Sequence, residues 1–138
     1  MMILNLNLGE RRVLLLLQRD GPNDLDVIAG LLRIPLSEAR EAIAMLAKEE
    51  LVETPDQTVA ELTELGKNYN LLCDESIEDE LDRMKGCKAD ILRYIRETER
   101  HPVSIGSLAL FLNHPEGEIS EALDALETFG YPVRDIVS

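Results

Sequence analysis

Shifted by 80 positions, the chain lines up with itself. Leu25 falls on Ile105, Ile28 on Leu108, Ala29 on Ala109, Leu32 on Leu112, Ala39 on Ile119, Ala42 on Ala122, Ile43 on Leu123 and Leu46 on Leu126. These are apolar positions at helical spacing, matched without a gap and with alanine on alanine twice. A repeat of this length points to one small unit present twice rather than to one large core.

Around the matched positions the helical signals are punctuated in the same order each time. In the first copy Asn7 and Glu10 form a capping-box pattern, and Arg11 to Arg19 continues as a helix until Asp20-Gly21-Pro22 stops it. Asp24 to Arg33 and Ser37 to Glu50 read as helix, tight turn, helix, with the break at Ile34-Pro35. The run Leu51 to Leu62 has two β-prone stretches around Thr54-Pro55-Asp56-Gln57, a turn with proline at its second position, and reads as a hairpin. Thr63 is placed to cap a helix carrying Leu65, Tyr69 and Leu72, and Ser76 with Asp79 to cap another that ends at Gly86. A helix from Lys88 then begins the second copy, with Ile91, Leu92 and Ile95 inward; Glu97 to Val103 turns the chain into Ser104 to Asn113 and Glu116 to Phe129, and "YPVRDIVS" follows as a single strand-like run. The expected division is residues 1–70 as a first unit, 71–87 as a helical bridge and 88–138 as a shortened second unit.

Two segments before the repeat carry their own expectations. "VLLLLQ", Val13 to Gln18, is apolar almost all round, so the first helix needs neighbours on more than one side, from the rest of the chain or from a second subunit. "MILNLNL" alternates leucine with asparagine in a strand pattern, which fits either an added strand or a partly ordered terminus.

The first unit, "LGERRVLLLLQ…DLDVIAGLLRIPLSEAREAIAMLAKEELVE…AELTELGKNY", resembles winged helix-turn-helix domains of the MarR and ArsR type, in which "LTELGK" closes the last wing strand. The second, "ADILRYIRETERHPVSIGSLALFLNHPEGEISEALDALETFGYPV", is similar to the N-terminal winged helix of biotin repressors and to the tandem winged helices of the chromosome segregation protein ScpB. The resemblance covers nearly the whole chain and implies a mainly α fold with small β-hairpins, a tandem winged helix-turn-helix, whose usual role is reading DNA. It rests on core positions and implies no catalytic chemistry. Three departures weaken the DNA role. Glu50 stands where the family ends its recognition helix with glycine, although Gly130 keeps it. The first wing holds Glu53, Asp56 and Glu61 without a basic residue, and the second unit has no room for a full wing.

Charge decides between roles. With 27 acidic against 14 basic residues the formal net charge is −13, heavier after residue 70, and this disfavours phosphate backbones and anionic membranes. The second helix of the second copy carries Glu116, Glu118, Glu121, Asp124 and Glu127 and no basic residue. Each carboxylate brought near a phosphate is repelled by about 1 kcal/mol even in high dielectric. The expectation is a non-enzymatic regulatory or docking module that binds a basic protein partner through Glu118, Glu121 and Asp124 and forms a homodimer. The alternative is a transcriptional regulator reading DNA through the first unit, with Arg33, Ser37 and Arg40 at the start of its second helix and Arg11, Arg12 and Lys67 towards the backbone.

Enzymatic chemistry has little to stand on. His101 and His114 both precede proline in turns, Cys73 and Cys87 have no ligand-spaced histidines, and no glycine-rich phosphate loop is present. His114, Glu116 and Glu118 lie within one turn and lack a distant fourth ligand, so no metal or other cofactor is expected. No apolar run spans a bilayer and the start "MMILNLNLGERR" has neither a basic leader nor a cleavage site, which fits a cytoplasmic protein.

Overall fold

The computed structural model describes residues 4–97 and 104–137; within them the chain is mainly helical, with eight α-helices and one small three-stranded antiparallel sheet. It divides into two compact units, residues 6–71 in one and residues 4–5 with 72–137 in the other. No described helix is long and apolar enough to cross a membrane.

In the first unit α1 (Leu8–Asp20) starts at the expected capping box. Glu10 N donates to Asn7 Oδ1 at 2.8 Å and Asn7 N to Glu10 Oε1 at 3.3 Å. Val13, Leu14, Leu15 and Leu17 are all buried. Their neighbours lie within the unit: α2 (Leu25–Leu32), α3 (Leu36–Lys48), strand β3 (Val59–Leu62) and α4 (Glu64–Asn68) surround the helix. Of the two sources of neighbours left open for α1, the rest of the chain supplies those of its buried residues. Gln18 Nε2 further ties α1 to the carbonyls of Gly66 and Tyr69, both at 2.9 Å.

The hairpin forms as read. β2 (Val52–Glu53) pairs with β3, Val52 opposite Leu62, and Gln57 N donates to Thr54 O at 3.3 Å across the turn. Asp56 Oδ1 accepts from Thr58 N, Thr58 Oγ1 and Val59 N, which pins the tip and holds its carboxyl below the usual range. A third strand was not foreseen: β1 (Asn23–Asp24) pairs with β3 on its other edge, Asn23 opposite Ala60, giving the order β1-β3-β2. Two residues without β-propensity form a strand only because a neighbour's free edge is presented to them. The alternating run before α1 forms no strand over residues 4–7, and residues 1–3 lie outside the described part.

The second unit comprises α5 (Ser76–Arg83), α6 (Cys87–Glu97), α7 (Ile105–Leu112) and α8 (Glu116–Thr128). Its core joins Ile91, Leu92, Ile95, Leu108, Ile119, Leu123 and Leu126 with Ile77 of α5, so the segment read as a bridge packs into this core. Ser76 does not cap α5 with its side chain. Asp74 Oδ1 accepts from Ser76 N at 3.0 Å, which leaves Ser76 Oγ to pair with Tyr131 OH at 3.2 Å inside the core. The C-terminal run, read as strand-like, holds a 3-10 turn at Val133–Asp135 followed by a single β-bridge residue, Val137; Tyr131, Val133 and Val137 are buried. These three side chains close the core of the unit, where burying their apolar surface is favourable.

The 80-residue repeat extends to backbone detail. α2 and α7 have the same length, as do α3 and α8, and each pair is offset by 80. Arg33 and Asn113 take the left-handed conformation at φ 56° and 58°, and Pro35 and Pro115 stand before the second helices. Ile34 N donates to Ala29 O as His114 N does to Ala109 O, and Leu51 N to Leu46 O as Tyr131 N does to Leu126 O.

Candidate functional site

The second helix of each pair is the candidate surface, and on it the two copies share skeleton and differ in charge. On α8 the first turn begins at Pro115, and Glu116 and Glu118 sit where the helix dipole favours anions. Glu118, Glu121 and Asp124 are all exposed. The structure gives two of them counter-charges. Arg134, from the closing 3-10 turn, reaches Asp124 Oδ1 at 2.6 Å and the Ser120 carbonyl at 3.1 Å, while its backbone N donates to Glu127 Oε1 at 2.8 Å. His114 lies between two carboxylates, Nε2 to Asp90 Oδ2 at 3.0 Å and Nδ1 to Glu118 Oε2 at 3.4 Å. The Glu121 carboxylate makes no ion pair or hydrogen bond among the described residues.

The hydrogen bond to Asp90 raises the His114 pKa most, burial opposes it, and the hydrogen bond to Glu118 adds a smaller rise. Because a histidine that donates from both nitrogens must be protonated, this clamp is strongest as imidazolium. Cys87 lies behind it, its thiol donating to the Glu118 carbonyl at 3.9 Å. Its pKa is raised by burial and by Glu118 and Asp90, so it stays a protonated thiol. His114 turns its two nitrogens to opposite carboxylates, so the set His114, Glu116 and Glu118 does not converge; among the described residues no group of three such side chains is placed to hold a metal ion. His101 lies outside the described residues.

In the first unit Arg33 sits in the turn between α2 and α3, and Ser37 and Arg40 lie on the first turns of α3; all three are exposed, and neither arginine meets a carboxylate among the described residues. The other cations expected at a DNA backbone are committed elsewhere. Arg11 is 1% exposed and donates to Leu6 O at 2.9 Å. Arg12 donates to the Leu32 carbonyl at the end of α2 at 2.8 Å. Lys67 pairs with Glu64 at 3.4 Å. The Arg12 contact, twenty residues away, is set by the fold, whereas Lys67 and Glu64 stand three residues apart on one helix and their pairing follows from spacing.

Two features escaped the sequence reading. Glu38 and Glu41 of α3 stand 80 positions before Glu118 and Glu121, so both helices carry the same pair of carboxylates in the same register. Extending the repeat comparison to polar positions would have found them. In the first unit the pair borders an open groove of about 420 Å³ between the start of α1 and α3, with Leu8, Ala42 and Met45 among its lining. On α7, Leu110 and Phe111 are 82% and 69% exposed, with the Phe111 ring 5.7 Å from that of Tyr94. The uncharged run "IGSLALFL" was the signal for that patch. No protein-family model, no curated protein and no solved structure matches the chain.

Proposed function

We propose that the chain is a non-enzymatic regulatory or docking module made of two winged-helix units, which binds a basic protein partner through α8. The order α1, β1, α2, α3, β2, β3 with a three-stranded antiparallel sheet supports the winged-helix reading of the first unit. The backbone identity of the two helix pairs supports a second, shortened copy.

The observation that carries the docking role is the exposed carboxylate row Glu118, Glu121 and Asp124, on a helix without a lysine or arginine of its own. Such a row repels nucleic acid and draws a cationic surface, raising encounter rate and selectivity more than final affinity. A DNA-reading role for the first unit is the second reading, favoured by the free and exposed Arg33 and Arg40 beside Ser37. It has fewer phosphate contacts at its disposal than the sequence promised, since Arg11, Arg12 and Lys67 are spoken for.

The test is a pair of binding measurements on the whole chain. Retention on immobilised genomic DNA at low salt is expected to be negligible, whereas a basic polypeptide such as polylysine binds and loses affinity in the Glu121→Gln, Asp124→Asn double variant. DNA retention that falls steeply with salt and disappears in Arg40→Glu overturns the docking reading in favour of the regulator.

A further inference from the structure

The groove between α1 and α3 has what a helix or peptide needs in order to dock. Leu8 and Met45 line it and are 41% and 45% exposed, large apolar side chains left half in water beside carboxylates. Ala42, a small side chain, lines the same groove. Glu38 and Glu41 line the same groove two turns and one turn before Met45, and neither carboxylate makes an ion pair or hydrogen bond among the described residues. At about 420 Å³ it has room for more than one apolar side chain.

The second copy shows that the groove does not follow from the fold alone. At the positions 80 residues on, Met45 is replaced by Ala125, and Glu118 is engaged by His114. The shared carboxylate pair thus stands beside a large flexible thioether, with both acids free, in the first unit only. Methionine adapts its shape to irregular apolar partners, as docking surfaces require.

We infer that this groove is a docking site for a short amphipathic segment of a partner protein, in which an apolar side chain seats against Leu8, Ala42 and Met45 and lysine or arginine faces Glu38 and Glu41. Charge selects this occupant. A nucleic acid or an acidic segment meets two unpaired carboxylates at the rim, and a second copy of the chain brings a further formal charge of −13. The mode is the helix-in-groove type, with apolar anchors giving affinity and the rim giving orientation. The site is independent of the α8 surface proposed above, and the two succeed or fail separately.

The experiment is a selection of random twelve-residue peptides displayed on phage against the full chain, followed by affinity measurement of the recovered peptides. Enrichment of sequences combining apolar and basic residues is expected, with affinity falling about tenfold in Met45→Gln and in Glu38→Gln, Glu41→Gln, and unchanged in Glu121→Gln. Unchanged thermal unfolding of each variant shows that the groove, and not the fold, has been altered. Recovery of no binders, of acidic binders, or of binders weakened only by Glu121→Gln overturns the inference; the last result upholds the α8 surface at the same time.

Discussion

Gly66 should be intolerant of a single methyl group. A Cβ built there overlaps the Leu51 carbonyl oxygen and stands 3.0 Å from its carbon and 3.1 Å from Leu62 Cδ2. The oxygen cannot simply retreat, because it accepts from Thr63 N at 3.0 Å and its residue is held on the other side by Leu51 N donating to Leu46 O at 2.9 Å. Gly66→Ala therefore costs about 1 kcal/mol for the Thr63 hydrogen bond and about 1–3 kcal/mol for the crowding, against less than about 1 kcal/mol regained as helix propensity. A net loss of about 2–3 kcal/mol is a large part of what a unit of this size has, and lowers its melting temperature by about 10–20 °C. The internal control is Gly30→Ala, in the middle of α2 with nothing within 4 Å, which should stabilise by about 0.5–1 kcal/mol. Urea unfolding of the full chain, with amide exchange read separately in each unit, measures both. If Gly66→Ala unfolds within about 0.5 kcal/mol of the parent, or Gly30→Ala proves the more harmful, the close approach described for α4 is wrong.

The His114 clamp should make the second unit sensitive to pH. A raised folded pKa means its contribution is fully present below the unfolded value of 6.5 and is lost as pH rises through the folded one. Stability of that unit should fall across this window and become flat in His114→Gln; a slope that survives the substitution, or one that rises with pH, refutes it. Glu50, at φ 64°, occupies a left-handed position that its counterpart Gly130 fills at φ 88°. Glu50→Gly should accordingly be neutral or stabilising by up to about 1 kcal/mol, and Gly130→Glu destabilising by about 1 kcal/mol, in chemical denaturation. Arg134→Ala removes the bonds to Asp124 and the Ser120 carbonyl, with a loss of about 1 kcal/mol, most of it from the carbonyl bond because the ion pair is exposed. It also frees a carboxylate on α8, so association with polylysine should quicken in stopped-flow at low salt, and an unchanged rate counts against α8 as the cationic partner's contact.

The helices and their repeat were legible because a period of 3.6 with small and large apolar residues in fixed order is written directly into sequence. The capping box at Asn7 and the cap at Thr63 were legible for the same local reason, since their partners lie three residues away. What could not be read was settled at a distance. Strand β1 exists only opposite Val59 and Ala60, and the hydroxyl of the buried Tyr131 finds its partner in Ser76, 55 residues away along the chain. The charged side chains were hardest, because Arg11 looks like a surface residue by type and is buried against Leu6. The acids of α8 were plain to see, and so was the i,i+4 spacing of His114 and Glu118, while the pairing of Asp124 with Arg134 depended on where the closing turn folds back.

The matching lengths of the two helix–turn–helix segments carry a consequence for how such a chain diversifies. Because inward residues keep the register and outward ones do not enter either core, each copy is free to be repainted without renegotiating its scaffold. The contrast between Met45 and Ala125, or Arg40 and Ser120, shows two outward faces of unlike chemistry carried on matching backbones.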